Sequence, residues 1–140
     1  MLVRAENYEH LRLWLRHMVA VTLPDIRPGS EIDPVQVLDG FPKAKARAGL
    51  GLAIGDFVEM TNHWLPDQIA RIDQQLLEEG LPSLSEMQTV FSKAVTRVVR
   101  RGTIKSDAEF YLLRNAAELR GAHQSELWAL IAAYEARLSG

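Results

Sequence analysis

Apolar residues recur along this chain at helical spacing from end to end, and nowhere with the alternation of a strand. The first periodic stretch covers about residues 5–22, where Tyr8, Leu11, Trp14, Leu15, Met18 and Thr22 fall on one side while Arg12 and Arg16 face away. Pro24 and the Pro28-Gly29-Ser30 cluster then predict a loop, because proline and glycine interrupt the ladder and set turn dihedrals. Asp33-Pro34 reads as an N-cap followed by proline at the first helical position, and Gly40 as a stop, so a short helix is expected over 34–39.

A longer helix is predicted over 42–65, with Leu50, Ala53, Ile54, Phe57, Thr61 and Trp64 on one face. Pro66 must kink it or start a new one. The next run, 67–79, groups Ile69, Ile72, Leu76 and Leu77 and ends at Gly80. Ser83 with Glu86 forms a capping-box pattern ahead of one long amphipathic helix closing at Arg100-Arg101-Gly102, its apolar face being Leu84, Met87, Phe91, Ala94, Val95 and Val98. Ser106 with Glu109 repeats the pattern for a helix to about residue 120. Gly121 then separates it from a last helix over 122–138, with Leu127, Leu130, Ile131, Tyr134 and Leu138 inward and His123 near its start. The expected fold is all-α: a compact bundle of about five long helices and one short one, with no sheet and no internal repeat.

Composition supports one folded domain over residues 1–140. The chain is 47% hydrophobic and 24% charged, near the globular average, and its length suffices to bury a core without cross-links. The absence of cysteine excludes disulfides, thiolate metal sites and cysteine nucleophiles, and favours a cytoplasmic setting. The first nine residues lack the pattern of a signal peptide, and no apolar run approaches a bilayer span, so no membrane partner is expected. A net charge of -2 gives no global attraction to nucleic acid.

Three local features could carry function. The first is a stripe of small residues, Ala44, Ala48, Gly51 and Gly55, on a narrow sector of the 42–65 helix away from its Leu50, Ile54 and Phe57 face. Gly49, Gly51 and Gly55 together sacrifice roughly 2–3 kcal/mol of helix propensity, so the stripe is expected to be a helix-packing surface or a homodimer seam. Gly49-x-Gly51-x-x-x-Gly55 lacks the preceding strand, the third-glycine position and the lysine of phosphate loops, and no cofactor is expected. The second feature is Asp56, Glu59 and His63, whose spacing would set two carboxylates and an imidazole on one edge of that helix as a candidate metal or acid–base site. A solvated polar edge is the plainer explanation. His10 and His17 share a side of the first helix with Leu13, and no acid near them in sequence completes a site.

The third feature is basic: Lys93, Arg97, Arg100, Arg101 and Lys105 are five cations with no acid among them over residues 93–105. Such a face fits an acidic protein surface or a nucleic-acid backbone. Asp107 and Glu109 at the start of the following helix argue against a helix-turn-helix, and no aromatic residue interleaves the cations to stack bases. The acids between Asp67 and Glu86 offer a charge match within the chain or across a dimer. Arg114, Asn115 and His123 miss the spacing of the Arg-polar-His motif of the helical HEPN ribonucleases, so no family resemblance is claimed.

The leading expectation is therefore a non-catalytic helical module that binds a protein partner or a second copy of itself. A nucleic-acid-binding regulator acting through Lys93 to Lys105 is the alternative. A metal-dependent enzyme using Asp56, Glu59 and His63 is the second.

Overall fold

A computed structural model describes residues 2–118 and 124–139, and among them every regular element is a helix. In chain order these are α1 (Tyr8–Thr22), α2 (Pro34–Asp39), α3 (Lys43–Met60), α4 (Pro66–Glu78), α5 (Leu84–Val90), α6 (Lys93–Arg101), α7 (Asp107–Ala117) and α8 (Gln124–Ser139). The all-α expectation holds. The expected count of six does not, because the stretch 42–79 divides at Pro66 and the helix predicted over 84–101 divides at Phe91 and Ser92.

Most starts and stops follow from local chemistry. Asp33, buried, accepts hydrogen bonds from the N–H groups of Val35 at 3.0 Å and Gly29 at 2.8 Å, so one carboxylate caps α2 and closes the Pro28-Gly29 loop. Pro66 separates two helices. It holds Leu65 extended, at φ -67° and ψ 149°, and α3 stops five residues short of the expected end. Thr61 completes that stop: its buried hydroxyl lies within hydrogen-bonding reach of the Phe57 and Val58 carbonyls, and the Gln88 amide donates to its carbonyl oxygen at 3.3 Å. At the end of α4, Leu81 N–H bonds to the Leu76 carbonyl and Gly80 N–H to that of Leu77, a Schellman closure.

The helix predicted from Ser83 to Gly102 is two helices. Phe91 is buried in the core and turns the chain out of α5, and the Ser92 hydroxyl accepts the Val95 N–H at 3.2 Å to start α6. Both predicted capping boxes are half-made. Ser83 and Ser106 accept the N–H groups of Glu86 and Glu109, but the Glu109 carboxylate reaches the N–H of Lys105 instead of that of Ser106. Glu86 is partly buried, and desolvation raises its carboxyl above the ordinary value. Residues 119–123, with the expected junction at Gly121 and His123, lie outside the described residues.

One core joins the elements. Trp14, Leu15 and Met18 of α1, Leu50 and Ile54 of α3, Leu84 and Met87 of α5, and Leu127 and Ile131 of α8 are all buried within it. Leu77 and Leu138, assigned to apolar faces by spacing, are 62% and 68% exposed instead. α7 and α8 pack as a hairpin, α6 lies against both, and α3 packs on α1, α2 and α5. That arrangement leaves the side of α3 toward α6 open.

Candidate functional site

The open side is a groove of about 550 Å³ between α3 and α6, flanked by the N-terminal Leu2 and Val3. Its floor on α3 is made by Ala48, Gly51, Leu52 and Gly55. The small-residue stripe thus faces a cleft. A Cβ on Gly51 would meet Val3 Cγ2 at 3.5 Å, an ordinary contact, and one on Gly55 would meet nothing within 4 Å. The tight approach within the chain occurs at Gly49, where a Cβ would stand 2.8 Å from Leu38 Cδ2 of α2. Ala44 is exposed one turn before Ala48 and borders a smaller cleft beside Arg4 and Glu126.

Leu52 belongs to this site although its residue type suggests a core position. It projects roughly 200° around α3 from Leu50 and is 64% exposed. That displacement of a leucine from the apolar face was a readable sign of the site. The roles of Leu2, Val3, Phe91 and Val99 in lining the groove had no such sign.

Charges stand at the rims. Lys93 Nζ lies 2.6 Å from Glu59 Oε1, pinning the start of α6 to the end of α3. Arg100, seven residues further along α6, is carried about 10 Å from that pair. It lines the groove with Arg47, and neither guanidinium has an ion-pair partner among the described residues. Asp56 is exposed on the rim, likewise without one.

The proposed carboxylate–imidazole triplet is not assembled. Asp56 and Glu59 lie on α3, but the helix ends at Met60 and His63 falls in the turn beyond it, so the three cannot share a helical edge. Among the described residues no three His, Cys, Asp or Glu side chains converge as a metal site.

The basic face is partly neutralised. Besides the Lys93–Glu59 pair, Arg101 pairs with Glu109 and donates to the Thr103 carbonyl at 2.8 Å. This contact, followed by the bond from Lys105 N–H, holds the Glu109 carboxyl below its usual range. Gly102, at φ 83°, ends α6 in the left-handed conformation that brings Arg101 and Glu109 together. Arg97, Arg100 and Lys105 keep exposed side chains with no ion pair among the described residues. The suggested match with the acids of Asp67 to Glu86 is not what neutralises this face. Asp73 accepts from the N–H and hydroxyl of Ser85, and Glu79 lies 3.0 Å from Nδ1 of His17. Tertiary contact thus supplies His17 with the acid missing nearby in sequence, while Gln75 stands 3.3 Å from its Nε2.

Asp107 accepts the Tyr134 hydroxyl at 2.5 Å, and this bond leads the rise in the Tyr134 pKa, ahead of desolvation. Arg114 bonds to Glu118 one turn on. The chain matches no protein-family model, no curated protein and no solved structure. Among the described residues no helix is long and apolar enough to cross a membrane.

Proposed function

We propose that this chain is a non-catalytic protein-binding module whose binding site is the α3–α6 groove. The observation that carries this reading is a cleft of about 550 Å³ lined on α3 by the small and apolar Ala48, Gly51, Leu52 and Gly55, with Arg47, Asp56, Glu59, Lys93 and Arg100 also in its lining. Such a cleft suits the apolar edge of a partner helix, with small residues permitting close backbone approach and rim charges setting orientation. Leu52, exposed on the floor, is the apolar anchor. Histidine, serine and cysteine are absent from the lining, and its one carboxylate–ammonium pair is closed on itself. We place the module in the cytoplasm, in keeping with its lack of cysteine.

The nucleic-acid alternative draws on Arg97, Arg100 and Lys105. Two of the five cations in that stretch, Lys93 and Arg101, are already engaged by carboxylates, which weakens the phosphate-binding surface.

The test compares partners recovered from the native host by the wild-type chain, by Leu52→Glu, and by Leu77→Glu as a control for an exposed leucine on α4. Loss of a partner in Leu52→Glu alone, with helix content retained, supports the groove. Equal recovery by all three chains would remove it.

A further inference from the structure

We propose that the groove also holds an amphipathic anion, an alkyl or acyl chain ending in a carboxylate or phosphate, with its head at Arg47 and Arg100 and its tail over Gly51 and Gly55. This rests on the groove accepting apolar groups, and it adds a small-molecule occupant that competes with a partner helix for the same floor.

The positive charge at the groove comes from two stretches far apart in sequence. Residues 40–55 hold Lys43, Lys45 and Arg47 and no acid, and residues 87–106 hold Lys93, Arg97, Arg100, Arg101 and Lys105 and no acid. Eight of the chain's 16 lysines and arginines and none of its 18 acids therefore lie in these stretches. Arg47 of the first and Arg100 of the second line one groove, so the fold joins them there.

The arrangement gives the groove one cationic end. The Lys93–Glu59 pair fixes the start of α6 beside the end of α3. For Thr96, Val99 and Arg100 to line the groove together with Ala48 and Gly51, α6 has to run back along α3 from that pair. Arg100 is thereby carried about 10 Å from the pair along α6, and Arg47 lies about 18 Å from it along α3. Neither guanidinium makes a hydrogen bond or ion pair among the described residues, so both keep their donors for an anion. Asp56, nine residues from Arg47, projects about 180° around α3 from it and stands on the opposite edge of the groove. Glu59 is closed on Lys93.

The rest of the lining suits a hydrocarbon tail. Leu2, Val3, Leu52, Phe91 and Val99 surround the glycine floor. The one hydroxyl there, that of Thr96, is turned back within hydrogen-bonding reach of the Ser92 and Lys93 carbonyls. A volume of about 550 Å³ falls within the range of small-ligand sites, about 300–1,000 Å³. A nucleic-acid backbone would need cations spaced along the groove, whereas here the free ones stand at one end.

Isothermal titration of the full chain with decanoate, decanol, decyltrimethylammonium and inorganic phosphate tests the proposal. Decanoate is expected to bind at least about tenfold more tightly than decanol, as hydrogen bonds to a charged head require. The cationic amphiphile and inorganic phosphate are expected to bind more weakly still. Arg47→Gln and Arg100→Gln should each weaken decanoate about tenfold and leave decanol unchanged. Gly55→Leu fills the floor at a point where a Cβ meets nothing within 4 Å, and it should weaken decanoate and decanol alike. Circular dichroism checks that the variants keep their helices. Arg100, exposed on α6, carries the test if Arg47→Gln loses them.

No decanoate binding, decanol bound as tightly, or inorganic phosphate bound as tightly overturns the proposal. So does decanoate binding that ignores the arginine variants or Gly55→Leu. Should decanoate fail while Leu52→Glu still loses a partner, the groove stands as a protein site without this ligand. Decanoate binding with recovery indifferent to Leu52→Glu keeps the ligand and removes the protein partner.

Discussion

Leu38 Cδ2 stands 2.8 Å from the point that a Cβ on Gly49 would occupy, so α2 seats on α3 where α3 carries no side chain. Gly55, two turns of α3 further on, has nothing within 4 Å of that point. Alanine substitution therefore separates helix propensity from packing. Gly55→Ala is expected to stabilise the chain by about 0.8–1 kcal/mol, the intrinsic preference of a helix interior. At Gly49 the same gain is offset by displacement of the buried Leu38, so Gly49→Ala stabilises less or destabilises. Gly102→Ala costs about 1 kcal/mol, because its φ of 83° is unfavourable for any side chain. Denaturant unfolding at low protein concentration reads all three. A gain at Gly49 equal to that at Gly55 would refute the close α2–α3 contact.

Arg12 of α1 binds Asp39 of α2 through two hydrogen bonds, Nε to Oδ1 at 2.8 Å and NH2 to Oδ2 at 2.5 Å. The hydrogen bond from Arg12 is the main reason that the Asp39 carboxyl lies below its ordinary pKa. The sign follows. With the folded value depressed, this stabilisation is complete above the unfolded carboxyl pKa, near 3.9, and is lost as pH falls through the folded value. Asp39→Asn is expected to cost about 1 kcal/mol or less at neutral pH, in keeping with a partly exposed pair. The difference from wild type should vanish in strong acid. Glu109, held down by Arg101, contributes with the same sign. Urea titrations across the acid range check both, and a difference that grows with acidity would contradict the assignment.

Ser92 is the device that makes two helices where spacing predicts one. Its hydroxyl accepts the Val95 N–H at 3.2 Å, and its carbonyl accepts the Thr96 N–H at 2.9 Å. Ser92→Ala removes the side-chain cap and is expected to cost about 1 kcal/mol. Hydrogen exchange at the Val95 amide should accelerate with it. An unchanged exchange rate and stability would mean that the break is held by Phe91 alone.

These contacts divide into those written locally and those that are not. Asp33, Ser83 and Ser106 act on N–H groups two or three residues away, so their capping roles can be read from the chain. Pro66 and Gly80 act through their own backbone dihedrals, and the boundaries of α4 follow from them. The small stripe on α3, Ala44, Ala48, Gly51 and Gly55, was legible as an unusual surface, whereas the exposure of Leu52 beside it came only with the structure. Whether the stripe met another helix of the same chain or an open cleft was not legible. That outcome depends on where α6 lies, and α6 is placed by its packing on α7 and α8 and by the Lys93–Glu59 pair, which spans more than thirty positions.

The sequence by itself determined the all-helical character, most helix starts and stops and the central core positions, because these depend on periodicity, caps and backbone preference within a few residues. The tertiary structure decided the break at Phe91 and Ser92, the solvent exposure of Leu77 and Leu138, the separation of His63 from Asp56 and Glu59, and the groove itself. Most of those required the docking of distant helices, which determines which apolar side chains find partners and which faces stay open; the early end of α3 that removes His63 combines the local effects of Pro66 and Thr61 with the Gln88 contact from α5.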